Sequence, residues 1–159
     1  MIQNGYDFEA MPKKRMAASA LFLDEQGKIL IVKPTYRPDW LLPGGIVEDH
    51  ESPRRACLRE IKEELNIDTP LDKLLCVEHL SDDTQQTESV QFVFYGGLIP
   101  ASQLPSIALP VPELSEYRFS RREEALQLLS CKLARRLPYC LQALADNVTL
   151  YLEDGKLPF

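Results

Sequence analysis

The sequence predicts an α/β or α+β layered domain. Three observations predict it. Strand-like and helix-like segments are interleaved along the chain with no internal repeat. The 159 residues are close to the commonest length of one domain, and no linker-like stretch divides them, so 1–159 is expected to be one domain. The composition, 45% apolar and 26% charged, is that of an ordinary globular protein.

The elements follow in order. Residues 1–12 are polar and aperiodic and read as an N-terminal arm on a core of 13–159. Two β-rich runs, 16–23 and 28–33, flank Asp24-Glu25-Gln26-Gly27 and read as a hairpin. Residues 34–39 are a loop, and 40–47 are an extended segment punctuated by Pro43-Gly44-Gly45. Ser52 suits a helix N-cap and Pro53 the first helical position. That helix should reach about Leu65, where Asn66 suits a left-handed cap. Strands follow near 74–80 and 89–99, the second with Val90, Phe92 and Phe94 facing one way. Pro100, Pro105, Pro110 and Pro112 mark a stiff loop. A short strand at 117–119 leads to Ser120-Arg121-Arg122-Glu123, a capping box starting a helix through about Leu129. Another helix covers 131–145, broken before Pro138. A last strand, 148–152, runs into a turn at 153–156.

Charge excludes some functions. Eighteen Lys plus Arg against 24 Asp plus Glu give a net charge of −6, the wrong sign for a generic nucleic-acid binder. No apolar run reaches the roughly 18–20 residues a membrane span requires. Lys13-Lys14-Arg15 precedes an apolar stretch too short for a secretion signal, and no small-residue cleavage site follows. Cys57, Cys76, Cys131 and Cys140 form no CxxC pair, and His50 and His79 complete no zinc pattern. Free thiols fit a reducing cytoplasm.

The informative stretch is 45–67, GIVEDHESPRRACLREIKEELNI. Glu60, Glu63 and Glu64 stand at i, i+3 and i+4, so about 100° of helix circumference carries all three carboxylates. Leu58, Ile61 and Leu65 fall on a neighbouring, core-facing side. Like charges so placed repel by a few tenths of a kcal/mol per pair. A solvated charged face is the ordinary reading of such a triplet, whereas a hard divalent cation with oxygen ligands would compensate the repulsion. Arg59, four residues before Glu63, can brace the cluster, and Glu51 is within its reach. Gly44 and Gly45, just before the helix, supply backbone that can approach a phosphate or metal closely.

The whole pattern resembles the box of the Nudix hydrolase family, Gly-x5-Glu-x7-Arg-Glu-U-x-Glu-Glu-x-Gly-U with U a bulky aliphatic residue. Here it reads Gly45, Glu51, Arg59, Glu60, Ile61, Glu63, Glu64, Asn66 and Ile67. Only the final glycine departs, and Asn66 is the best substitute for glycine as a left-handed cap. His50 stands where the family often has glycine, and a surface role suits it better than catalysis. The lead-in Trp40-Leu41-Leu42-Pro43-Gly44-Gly45 is also similar, and the element order extends the resemblance over about 16–130.

The resemblance implies an α/β/α sandwich with a mixed sheet and a catalytic loop–helix–loop. It implies hydrolysis of a nucleoside diphosphate linked to another group, with Mg²⁺ or Mn²⁺. Glu60, Glu63 and Glu64 match the metal ligands, with the Gly45 carbonyl beside them. Glu51 and Arg59 match the pair that orients the catalytic carboxylates. The general base is Glu113, Glu116 or a box glutamate, and Glu113 is preferred because it precedes Phe119 by six residues, as a loop glutamate does in one branch of the family. Tyr36, Arg37, Trp40 and Gly44 are expected to contact substrate, Trp40 being equally suited to the core. Residues 83–85, Asp-Thr-Gln, carry neither the proline marker of ADP-ribose hydrolysis nor the tyrosine marker of dinucleoside polyphosphate hydrolysis. The expected partners are a small nucleotide and, by analogy with relatives, a second copy of the chain. The alternative is a non-catalytic nucleotide sensor, against which stands the retention of all three box carboxylates.

The physics points the same way. A pyrophosphate is multiply anionic and the protein is net negative, so a metal ion must bridge them.

Overall fold

The structure, a computed structural model, describes residues 2–3, 6–81, 88–109 and 112–159. The 83–85 marker stretch and Pro110 lie outside the described residues.

The predicted N-terminal arm carries structure of its own. β1 (Ile2–Gln3) pairs antiparallel with β2 (Tyr6–Asp7), apart from the main sheet, and a 3₁₀ turn, Phe8–Ala10, follows. The Asp7 side chain caps that turn by accepting from the Glu9 N–H.

The main sheet holds β3 (Arg15–Asp24), β4 (Ile29–Pro34), β5 (Gly44–Ile46), β6 (Lys73–Leu80), β7 (Ser89–Ile99), β8 (Leu114–Ser120) and β9 (Leu150–Glu153). Its order is β8-β4-β3-β7-β6-β9, with β5 also paired to β3. The sheet is mixed: β3 with β7 and β6 with β9 run parallel, the other neighbours antiparallel.

The expected 16–33 hairpin holds only at its turn. Asp24 Oδ1 accepts from the Gln26 and Lys28 N–H groups, each at 2.8 Å, and Gly27 adopts φ +76°, which glycine takes at no steric cost. Beyond the Leu23–Ile29 pair the two strands part. β5 takes the edge that β4 would have used, pairing Ala17, Ala18 and Ser19 of β3 with Ile46, Gly45 and Gly44. β4 turns to β8 instead. The segment that carries the site is thereby wedged into the sheet.

Alternation sends side chains to both faces. Leu30 and Val32 of β4 pack with Ala18, Ala20 and Phe22 against α1 (Pro53–Leu65), through Cys57, Ile61 and Leu65. Ile29 and Ile31 point the other way, into a second core with Ala125 of α2 (Arg122–Leu128) and Leu137, Cys140 and Ala143 of α3 (Cys131–Asp146). The result is the expected α/β/α sandwich.

Two helix expectations need correction. Ser120 is not an N-cap: it is the last residue of β8, paired with Ile29, and its hydroxyl is buried without a partner among the described residues. Arg121 takes the cap position of α2 with no side-chain cap bond. Nor does Pro138 break its helix. α3 runs through it, because the buried face of Arg136, Leu137, Cys140 and Ala143 outweighs the roughly 3 kcal/mol that an interior proline costs. The proline-rich connection also contains a 3₁₀ helix, Ala101–Ser106. No helix of the described residues is long and apolar enough to cross a membrane.

Candidate active site

The site is built where β5 feeds α1. Ser52 Oγ accepts from the Arg55 N–H at 3.2 Å, and Pro53 opens the helix. At the other end Asn66 is left-handed, φ 56° and ψ 34°, and its N–H donates to the Lys62 carbonyl at 3.0 Å. The expected cap is therefore present, with Nδ2 also donating to the Ser106 carbonyl at 3.4 Å. His50 is exposed and holds φ 62°, a conformation that glycine takes more cheaply.

With Ala56, Cys57, Ile61 and Leu65 turned into the core, the carboxylate face of α1 meets β5. Arg59 is the hub. Its Nε and Nη2 donate to the two oxygens of Glu51 at 2.9 and 3.0 Å, a bidentate fork. Nη1 reaches Glu60 at 2.8 Å and Glu63 at 3.3 Å, and Nη2 reaches the Ile46 carbonyl at 3.2 Å. The guanidinium holds the Glu51 carboxyl below its ordinary range, and Glu51 and Glu60 hold Arg59 more firmly protonated. Arg59 thus ties the loop before α1 to the helix itself.

Glu64 points back to β5 and accepts from the Gly44 N–H at 2.9 Å. Burial, then the charges of Glu60, Glu113 and Glu63, push its pKa up to about 8. Glu60 is also raised, mainly by burial and further by Glu63 and Glu113, against the pull of Arg59. One guanidinium, Arg59, stands among four carboxylates. A Cβ on Gly45 would collide with the Glu60 carboxylate, so the backbone and that carboxylate share one tight space.

Hard oxygen donors short of compensating charge fit Mg²⁺ or Mn²⁺. Among the described residues, no three His, Cys, Asp or Glu side chains converge as a formed metal cage.

The loop candidates for a base separate clearly. Glu113, anchored by its carbonyl accepting from the Thr35 N–H at 2.9 Å, adds a small upward push to both Glu60 and Glu64, so its charge lies within electrostatic reach of the box. Glu116 pairs with Arg118 at 3.0 Å.

A groove of about 590 Å³ opens beside β5, lined on that side by Tyr36, Arg37, Gly44 and Gly45. Tyr36 is 72% exposed, and Arg37 pairs with Asp39 at 3.0 Å. Trp40 is not a groove wall. It is 6% exposed, packs in the core with Leu42 and Leu129, and lies beneath Arg118 at 4.8 Å from its ring centroid. Its expected substrate contact gives way to the core role.

The groove lining also includes Ser130, Cys131, Lys132 and Arg136, none predicted from the sequence as a site residue. Arg136 and Glu78 form an ion pair, at 3% and 0% exposure. The available signal was a charged residue at a core position of an amphipathic helix, between Leu133 and Leu137.

A mixed sheet between helices, with a glycine-led loop–helix carrying an Arg-braced carboxylate cluster, defines a Nudix-type domain. The NUDIX domain model matches residues 13–139, and the chain belongs to that family. Diphosphoinositol polyphosphate phosphohydrolase 2 of Rattus norvegicus is 35% identical over 83 residues, 52% of this chain and 46% of that protein. The chain thus spans about half the length of the curated relatives it matches. The NUDIX domain of Shewanella oneidensis NrtR complexed with ADP ribose superposes with a TM-score of 0.70 at 20% identity, over 87% of this chain and 94% of that one. A C. elegans Ap4A hydrolase binary complex gives 0.67 at 22% identity, over 83% and 98%. At these identities the two structures establish the fold.

Proposed function

We propose that the protein is a Mg²⁺-dependent cytoplasmic pyrophosphohydrolase that cleaves a nucleoside diphosphate linked to another moiety. One observation carries the reading. Arg59 locks Glu51 to Glu60 and Glu63 while Glu64 is bound to the Gly44 N–H, which gathers the box carboxylates where α1 meets β5. The curated relative is a phosphohydrolase by name, and one solved neighbour is a complex with ADP ribose.

Glu60, Glu63 and Glu64, with the Gly45 carbonyl, would hold the divalent ion. Once bound, such an ion polarises a phosphoryl oxygen and lowers the pKa of its water. Glu113 faces this cluster from a separate loop and accepts the proton of the attacking water. Glu51 acts through Arg59, fixing the rotamers of Glu60 and Glu63. Tyr36, exposed on the groove rim, offers a flat face to a base or sugar.

The test is a panel of nucleoside triphosphates, nucleotide sugars and dinucleotides, scored for phosphate, pyrophosphate or nucleotide release with Mg²⁺ and with EDTA. Release that requires Mg²⁺ and disappears in Glu63→Gln is expected. Ligand binding without release would return the protein to the sensor reading.

A further inference from the structure

The edge strand β8 breaks step just before it reaches Glu113. Its register against β4 runs Lys33–Glu116 and then Pro34–Leu114, so Ser115 is skipped, an extra residue that makes a β-bulge. The bulge changes which side chains share a face. Tyr117 and Phe119 pack on the α1 side of the sheet. Leu114 joins them there, 5% exposed, although it precedes Tyr117 by three residues and strict alternation would send it to the other side. Ser115 Oγ donates to the Lys33 carbonyl at 3.2 Å and closes the bulge. Bulges re-aim the chain beside a site, and the residue that follows Leu114 outward is Glu113.

Thr35 grips the chain at that point. Pro34 ends β4 and has no N–H to continue the ladder. Thr35 continues it, donating its N–H to the Glu113 carbonyl at 2.9 Å. Its hydroxyl donates to the Pro112 carbonyl at 2.9 Å, a bond shared with the Glu113 carbonyl at 3.3 Å. Glu113 is thus fixed on both sides of its Cα, by Leu114 in the core and by Thr35 at Pro112, while the residue itself stays exposed.

The 34–39 loop does not need that hydroxyl for its own shape. Lys33 Nζ donates to the Arg37 carbonyl at 3.2 Å and to the Pro38 carbonyl, and Arg37 pairs with Asp39. The loop that presents Tyr36 and Arg37 to the groove is braced from within. The Thr35 hydroxyl is directed across, to a segment 77 residues away.

We propose that Thr35 is a positioning residue, whose hydroxyl clasps the Pro112–Glu113 backbone to the 34–39 loop and so holds the Glu113 carboxylate at a set reach from the carboxylate cluster of α1. The groove rim and Glu113 then move as one body. The kinetic consequence rests on the reading of Glu113 as the base, whereas the clasp itself does not. A glutamate side chain is long and flexible, so its carboxylate returns to one place only if its backbone is fixed. One neutral hydrogen bond biases a loop between two positions by about 2- to 12-fold, which sets the size of the effect.

Thr35→Val removes the hydroxyl and keeps the N–H and the branched shape, and Thr35→Ser restores the hydroxyl. The first readout needs no turnover. In EDTA, hydrogen exchange of the residue-35 amide, corrected for intrinsic rate, reports the bond to the Glu113 carbonyl. It should quicken several-fold in Thr35→Val and return toward the wild-type rate in Thr35→Ser, with the thermal midpoints of all three proteins close together. With Mg²⁺ and a nucleotide that the wild type hydrolyses, Thr35→Val should lower kcat by about 3- to 10-fold and leave KM and the Mg²⁺ dependence unchanged. Thr35→Ser should recover most of that loss. The Val substitution is then repeated in Glu113→Gln. A residue that acts through Glu113 has nothing left to position there, so the further loss should disappear, whereas a merely structural residue costs the same factor in both backgrounds. Unchanged exchange in Thr35→Val, exchange that stays fast in Thr35→Ser, a change in KM in place of kcat, or a loss undiminished in the Glu113→Gln background overturns the proposal. If no nucleotide is hydrolysed, or Glu113→Gln keeps the wild-type kcat, it is the hydrolase or the base reading that fails, and the clasp stands or falls on the exchange rates.

Discussion

Gly44 and Gly45 are adjacent, yet adding one methyl group to each should break different things. Gly44 holds φ +145°, and a Cβ there would meet the Ala18 carbonyl and the Ser19 backbone. Neither obstacle can rotate away. A backbone region reserved for glycine costs about 1–3 kcal/mol, and displacing β5 from β3 adds lost ladder bonds at about 1 kcal/mol each. Gly44→Ala should therefore lose about 3 kcal/mol or more, a Tm drop of about 6–12 °C for a chain of this length. Gly45 has no positive φ, and the atoms nearest to its Cβ would be those of the Glu60 carboxylate. That end can swing aside by giving up its 2.8 Å bond to Arg59. Gly45→Ala should keep its stability within about 2 kcal/mol, since one charge-assisted bond is worth about 1.5–3 kcal/mol and the freed carboxylate stays partly open to water. Activity should suffer far more, because a ligand displaced by about 1 Å costs on the order of 10²-fold. The assays are thermal unfolding in EDTA and kcat as a function of Mg²⁺ concentration. If Gly45→Ala unfolds as readily as Gly44→Ala, or keeps wild-type kcat and Mg²⁺ dependence, the assignment of Gly45 to the space beside Glu60 is wrong.

Further outcomes are expected. Glu113→Gln should lower kcat by about 10²-fold or more with the Mg²⁺ dependence kept, whereas Glu116→Gln, paired with Arg118, should stay near wild type in the same steady-state assay. Asn66→Gly should change stability by less than about 1 kcal/mol, while Asn66→Ala, forced into the left-handed region, should cost about 1–2 kcal/mol by denaturant titration. Asp154 accepts from the Ser81 N–H and hydroxyl, which hold its pKa below the usual value. Its contribution should be present above the unfolded-state pKa and be lost as pH falls through the folded one. Asp154→Asn should therefore destabilise at neutral pH and flatten the acid limb of a Tm-against-pH series.

The legibility of the site in the sequence varied with the range of the interaction. Asn66 was readable because a helix cap is a local matter, decided by one residue's φ and its neighbours. The Glu51–Arg59–Glu60–Glu63 cluster was readable because helix geometry converts spacing into a shared face. Ser120 misled for the complementary reason: its local pattern suits a cap, but pairing with Ile29 across the sheet claimed its backbone first. The hairpin was legible at its turn and not along its length, since nothing in residues 16–33 discloses that β5 takes the edge of β3. Trp40 could go to core or groove on size and polarity alone, and packing against Leu129 settled it. Arg136 needed Glu78, 58 positions away, before its presence on an apolar helix face made sense.

The bond from the Gly155 N–H to Glu78 joins residues 77 apart in sequence, and β9, which delivers it, is the last strand of the sheet. Closure of such a long loop comes late, after the local helices and turns have formed. During synthesis the carboxylate-bearing helix therefore exists well before Glu78 has its second donor. A chain clipped or stalled ahead of Gly155 would retain its box carboxylates while leaving the buried Glu78–Arg136 pair one donor short. A loosened far edge of the sheet, rather than a lost carboxylate cluster, is the defect to look for in such a fragment.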